Sequence, residues 1–390
     1  MFKYAPIIVV LFVGLSFFPK QALAAPDNNQ TVDLQTFDAL SFDEINRYWN
    51  KVVDEYGGYL PEIKKSNFLE FIKGEGTVSV KDWITGMLTY LFYEIVMNGK
   101  LLGSLILLTI FSVLLQTIQN AFENHAVSKV AYAIVYLVLI VLALNSFYLA
   151  VSYAKEAIDM MGSFMLALLP LMLGLMASFG NVVAVSFFHP IVVFLINASG
   201  VLISNIVLPL FFLSALLCIV STLNEKYNVT QLANLLRNSG LALLGVFLTI
   251  FLGVISVQGA ASAIQDGVAM KTAKFVTGNF IPVVGRMFTD AADTVLSASL
   301  ILKNAIGIVG VIIVLGLALF PAVKVFAIAV IYKFAAALLQ PIGDGPVIKS
   351  MDTISKHILF VFAALLVVTV MFFLAIVIIV ASSNVTMMLR

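Results

Sequence analysis

The sequence predicts an all-α, polytopic helical membrane protein of roughly seven to nine spans. Composition is the first reason. Of 390 residues, 61% are hydrophobic and only 11% are charged, whereas a soluble domain is about 25% charged. Distribution is the second. The apolar residues gather in uncharged runs, and a run of roughly 18 or more crosses about 30 Å of hydrocarbon.

The N-terminus adds a third observation. MFKYAPIIVVLFVGLSFFPKQALAAPDNNQ opens with Lys3, continues through an apolar core over 7–18, and offers Ala22-Leu23-Ala24 as a small-residue cleavage site. This is the pattern of a secretory signal peptide over 1–24, with the mature chain starting at Ala25. An uncleaved anchor is the alternative, since Lys20 stands close to the site. Either way, residues 25–98 belong outside the cytoplasm as a small helical domain. Ser41-Phe42-Asp43-Glu44 spells a capping box. Behind it Ile45, Trp49, Val52, Val53 and Tyr56 share one helical face, and Gly57-Gly58 ends the helix. Ser66 caps a second short helix over SNFLEFIKG. Ser79 caps a third, VKDWITGMLTYLFYEIV, whose Trp83, Tyr90 and Tyr93 suit a membrane interface. The domain has neither His nor Cys, so it reads as a surface for binding partners.

Residues 99–390 are the polytopic region. Apolar runs cover 101–119, 130–153, 160–180, 183–201, 203–223, 241–263, 305–322, 323–340 and 358–381. The two runs around Pro321 read equally as one kinked helix, and the pair around Pro190 and Pro209 has the same ambiguity. Pro170 and Pro209 have the same spacing as Pro282 and Pro321, which is either a coincidence among the spacings of the prolines after residue 100 or an internal repeat, 160–265 against 272–377, of the kind found in transporters. GlnProIleGlyAspGlyProVal at 340–347 reads as a hairpin turn. Charge conflicts with the count. Nine spans and an outside N-terminus put the 264–304 connection outside, yet it holds Lys271, Lys274, Arg286 and Lys303. One span fewer would put it inside.

Within that connection, FIPVVGRMFTDAADTVLSASLILKN (280–304) breaks the apolar pattern. On a helical wheel Arg286, Asp290, Asp293, Ser297 and Asn304 fall within about 60° of one another. Phe288, Ala291, Val295, Ala298 and Leu302 take the opposite face. Arg286 and Asp290 form an i,i+4 pair. The stripe can lie flat at the interface, face a bundle interior or water-filled path, or sit on an exposed loop helix. Interfacial anchors carry mainly Lys and Arg, and this mixed stripe favours the path or a subunit contact. Asn181, Asn197, Asn205 and Gln258 are expected to hydrogen-bond neighbouring helices, and His189 to be a satisfied interior imidazole. Lys324 either snorkels to a surface or needs a carboxylate partner. Cys218 reads as a small buried hydrophobe.

Catalytic signals are missing. The chain has no GxxxxGK[ST], HExxH or GxSxG, and no Cys/His ladder at metal spacing. It is therefore not expected to be an enzyme, to hold a metal or cofactor, or to hydrolyse ATP itself. The net charge of +1 gives no reason to expect nucleic acid; membrane lipid is the expected surrounding.

FIKGEGTVSVKDWITGMLTYLFYEIVMNGKLLGSLILLTIF (71–111) and AFENHAVSKVAYAIVYLVLIVLALNSF (121–147), with the Pro170 and Pro282 segments and the QPIGDGPV turn, resemble the stage III sporulation protein AE family. The resemblance implies a multi-pass protein of the mother-cell membrane facing the engulfed forespore. It implies membership of a multi-protein, secretion-like trans-envelope complex with a separate cytoplasmic ATPase, and a role in a channel that late forespore development needs. A stand-alone solute permease and a non-conducting membrane scaffold are the alternatives.

Overall fold

The computed structural model describes residues 42–60, 80–121, 126–178, 182–223, 229–280, 284–342 and 345–388. Among them the regular elements are all helical. The signal peptide, the 66–74 helix, Ser41, Ser79, Asn181 and Pro282 lie outside the described residues. In chain order the helices are α1 (Asp43–Tyr56), α2 (Val80–Met97), α3 (Gly99–Ala121), α4 (Ala126–Ser178), α5 (Val182–Leu202), a π-helical turn (Ile203–Val207), α6 (Leu208–Leu223), α7 (Thr230–Phe280), α8 (Val284–Leu339) and α9 (Pro346–Met388).

Five helical stretches are long and apolar enough to cross a membrane, or up to six if the pair α2 and α3, bent by 49°, makes one span. This is fewer than the seven to nine expected, because adjoining apolar runs fuse. Lys155, Glu156 and Asp159 interrupt the hydropathy between 130–153 and 160–180, but the backbone ladder runs through them as the 53 residues of α4. Pro321 sits inside the 56-residue α8. Pro209 has no N–H to donate and crowds the preceding turn. The chain widens there into the π turn, with Leu208 N–H bonded to Ile203 O, and carries on. Hydropathy measures charge along the chain, whereas a helix ends only where its hydrogen bonds do.

The register of the long helices is pinned by polar contacts. α8 and α9 form an antiparallel hairpin around 340–345: Lys333 pairs with Asp352, Ser355 Oγ donates to Ala329 O at 2.8 Å, and Lys303 Nζ donates to Val380 O at 2.9 Å. α4 runs antiparallel to α8, with Tyr332 donating to Ser146 Oγ at 2.9 Å and Leu168 beside Gly310. α4 is parallel to α9, since Tyr136 meets Ser350 at 2.7 Å and Met161 meets Thr369. Thr222 and Ser214 of α6 meet Ser350 and His357 of α9, so α6 descends as α9 rises. Phe251 of α7 faces Phe372. The interior between these helices is filled by large side chains, including Tyr136, Phe147, Phe164, Phe211, Tyr332 and Phe372.

At 1.5 Å per residue α4 and α8 are each about 80 Å long, far beyond a hydrocarbon core of about 30 Å. From the 340–345 turn back to Pro321 is about 30 Å of helix. That level is the waist of the bundle, and α1 docks there. Ile45, Trp49, Val52 and Tyr56 are buried against α4 and α8, while Asp43, Glu44, Arg47, Lys51, Asp54 and Glu55 stay exposed. The helix begins one residue later than the expected capping box. Phe42 occupies the N-cap with no side-chain cap bond, and its ring packs on the core.

Gly316 makes this docking possible. A Cβ there would lie 2.7 Å from Val52 Cγ1, so α1 approaches α8 more closely than any side chain allows. Replacing Gly316 by Leu should cost about 1–3 kcal/mol of docking and raise trypsin cleavage after Arg47 and Lys51 by about tenfold or more. Replacing Gly245, whose added Cβ would meet nothing within 4 Å, should leave cleavage unchanged.

Candidate functional site

The waist is where a charged helix meets the apolar bundle. Tyr56 stacks flat on Phe320, with ring centroids 4.2 Å apart and planes 3° from parallel. Tyr90 of α2 closes on the same Phe320 edge-on at 5.2 Å. Tyr56 donates its hydroxyl to Glu55 Oε1 at 2.7 Å, and Lys324 Nζ stands 3.7 Å from that oxygen. Lys324 also lies 5.7 Å from the Tyr153 ring centroid. Burial first, and the Glu55 carboxylate second, push the Tyr56 phenol well above its ordinary value, so it remains a donor at every physiological pH. The carboxylate partner that Lys324 requires at mid-helix is thus Glu55, supplied by a different segment of the chain.

Beside this contact a groove of about 580 Å³ lies between α1 and α4, lined by Arg47, Tyr48, Lys51, Lys155, Glu156 and Asp159 among others. These charges cannot be immersed in lipid. Each would cost about 2.5–3.5 kcal/mol or more at the bilayer centre. The interhelical register extends the same level to α6, where it falls at the π turn. There Ser204 Oγ is buried without a hydrogen-bond partner among the described residues. Pro321, the π turn before Pro209 and the Lys155–Asp159 charges therefore share one level across three helices.

The polar stripe is placed only partly. Arg286, Asp290, Asp293 and Ser297 lie in the first third of α8, at the end away from the 340–345 turn. That stretch is one continuous helix, as the wheel requires, but the positions of these four side chains lie outside what is described. Asn304, the last of the set, has a buried Oδ1 with no hydrogen-bond partner among the described residues. Its neighbour Lys303 is fully buried and donates to Val380 O. With six passages, the 264–304 connection lies on the α1 side of the bundle, which the charge rule alone disfavoured.

Several polar expectations are corrected. His189 is exposed rather than interior, because it precedes Pro190 on the outward face of α5. Asn197 donates to Val193 O, and Gln258 to Ser262 Oγ, so both bond within their own helices. The interhelical bonds come instead from residues the sequence did not single out. Tyr136 sits within 2.6 Å of Thr222 Oγ1 and 2.7 Å of Ser350 Oγ. Ser214 contacts His357 Nε2 at 3.0 Å, and His357 is buried. Only Lys155-Glu156-x-x-Asp159 left a visible signal, a charged cluster between apolar runs.

Water at the waist is testable with Cys218 first replaced by Ser. Glu156→Cys should then react with a membrane-impermeant maleimide. Phe334→Cys, 52% exposed on α8 between Pro321 and the 340–345 turn, should not react. Equal resistance of both positions would place the waist inside the bilayer.

Comparisons with known proteins give the chain a family. The family model described as stage III sporulation protein AE matches residues 63–383. The protein named stage III sporulation protein AE from Bacillus subtilis (strain 168) is 59% identical over 356 residues, covering 91% of this chain and 89% of the relative. No solved structure matches the chain. A family match over most of the chain and an identity this high have one consequence: the chain belongs to the stage III sporulation protein AE family.

Proposed function

We propose that this sporulation protein is the multi-pass membrane component of a trans-envelope complex joining mother cell and forespore. It sits in the mother-cell membrane with α1 and the waist outside the cytoplasm. The observation that carries the reading is the mismatch in length. Helices of about 80 Å, with a charged helix docked at mid-height, supply a membrane-embedded half and a second half that reaches away from the bilayer. A protein that only had to cross the membrane would need neither. The projecting half and the 25–98 domain then offer docking surface to the other subunits in the space between two membranes.

The filled interior bears on how a channel would form. Side chains occupy the core between α4, α6, α8 and α9, so the conduit runs between chains, lined by surfaces such as the Arg286, Asp290, Asp293 and Ser297 part of the stripe, whereas Asn304 Oδ1 is buried within the chain. The family resemblance further implies a separate cytoplasmic ATPase as the energy source, and this sequence, which has no P-loop, is consistent with that.

Reversing two charges tests the conduit. Asp290→Lys combined with Asp293→Lys should leave the protein level and co-purifying subunits unchanged, while late forespore reporter expression falls at least tenfold. Normal expression would remove the stripe from the path. Loss of co-purifying subunits would replace the conduit role by the non-conducting scaffold.

A further inference from the structure

Between Pro321 and the 340–345 turn, the outer surface of the α8–α9 hairpin carries charge. Lys333 of α8 and Lys356 of α9 both pair with Asp352 of α9. All three lie inside the apolar stretches Leu302–Leu339 and Pro346–Ser382, which are long enough to cross a membrane. Lys333 stands roughly 10 Å of helix from the turn, and Lys356 roughly 16 Å. Ionisable groups in such stretches ordinarily face a bundle interior or a water-filled cavity. These face outward: the side chains of Lys333 and Lys356 are 60% and 59% exposed, and that of Asp352 is 30% exposed. Acyl chains alone cannot cover them, so the cluster needs an occupant that brings charge of its own.

Three observations identify that occupant. The first is the charge balance. One carboxylate meets two ammoniums, which leaves the cluster positive. Lys349, exposed on the same face of α9 as Asp352 and Lys356, adds to it. The occupant is therefore an anion. The second is the arrangement. Asp352 holds Lys333 through Oδ1 and Lys356 through Oδ2, the latter at 2.6 Å. The two ammoniums are thus fixed beside one carboxylate, and an anion with two free oxygens on one atom accepts from both at once. A phosphodiester has that form. The third is what lies further along the hairpin. Phe326 stands two turns from Lys333 on the same face of α8, toward Pro321. Its half-buried ring meets the half-buried ring of Phe362 of α9, with centroids 5.3 Å apart. Charge near the turn and apolar surface toward mid-height is the order of a phospholipid, phosphate outermost and acyl chains inward. Basic sites between membrane helices near one end of a bundle suit anionic headgroups.

We propose that Lys333, Asp352 and Lys356 form a headgroup clamp for an anionic phospholipid. The phosphodiester lies between the two ammoniums, Lys349 stands beside it, and an acyl chain follows Phe326 and Phe362. The clamp rests on the membrane-embedded placement of this half of the bundle, but on neither the conduit nor the other subunits.

The test uses the full chain in phospholipid vesicles, with Cys218 replaced by Ser and a fluorophore on Phe334→Cys, next to the clamp. Brominated phosphatidylglycerol should quench the fluorophore with an apparent affinity about fivefold or more above that of brominated phosphatidylcholine, the gain expected from about one unbalanced lysine charge. Lys333→Gln, Asp352→Asn and Lys356→Gln together remove the clamp without stranding a charge, and should make the two lipids equal. Lys100→Gln, which removes an exposed lysine elsewhere, should leave the preference intact. Equal quenching by both lipids with the cluster present would overturn the clamp, as would a preference that survives the triple replacement. Loss of the preference when inorganic phosphate replaces chloride at equal ionic strength would assign the cluster to a free anion instead. No quenching by either lipid would show that protein covers this face, and would sink the embedded placement together with the clamp.

Discussion

The hydrocarbon core is about 30 Å thick, and the helices of this protein are up to about 80 Å long. That mismatch governs the rest of the structure. An apolar helix of twice the required length cannot be satisfied by one bilayer, so half of its surface must find another covering. α1 provides part of it. Its buried face seals α4 and α8 at mid-height, and its charged face meets water. On α8 the contact gathers at the Gly316 notch under Val52, the Tyr56–Phe320 stack and the Glu55–Lys324 pair, and on α4 Tyr48 meets Phe164 edge-on at 5.3 Å. Burial of Ile45, Trp49, Val52 and Tyr56 supplies the stabilisation, at roughly 1.5–3 kcal/mol for a fully buried large apolar side chain. The ion pair, with both side chains partly exposed, contributes about 0–1 kcal/mol, and its value lies in giving Lys324 a counter-charge.

Long apolar helices have a second difficulty, which is sliding. Leu, Val and Ile surfaces pack almost equally well one turn out of register, so something else must fix the level. Here it is a sparse set of buried hydroxyl and imidazole contacts. Tyr136 ties α4 to α6 and α9, Tyr332 ties α8 to α4, and His357 ties α9 to α6. Each is worth only about 0.6 kcal/mol or somewhat more inside a membrane bundle. Together they select one register, because any slip would leave several polar groups unpaired in an apolar interior.

That register aligns the irregularities. Pro321, the π turn before Pro209 and the charges of α4 lie far apart in sequence but at one height in the bundle. A break in any single helix would be a local accommodation. Here a proline inside α8, the π turn before Pro209 and a charged cluster on the unbroken α4 share one level, where the charged helix α1 also docks. The proposed trans-envelope reading rests on that level, since a complex between two membranes needs surfaces that stand clear of both.

The sequence by itself determined the fold class, the apolar face of α1 and its end at Gly57, the hairpin turn at 340–347, and the family. All of these are local properties: composition, periodicity, turn residues and segment likeness. It also determined the amphipathic wheel of 286–304, though not what the stripe faces. The tertiary structure narrowed the candidate spans to five or six, because Lys155, Glu156 and Asp159 look like a loop until the helix is seen to continue through them. It decided that Glu55 answers Lys324, and that Tyr136, Tyr332 and His357 rather than Asn197 and Gln258 join the helices. Those pairings bring together residues up to 269 positions apart, and no local pattern carries information about which distant side chain will arrive at the same height.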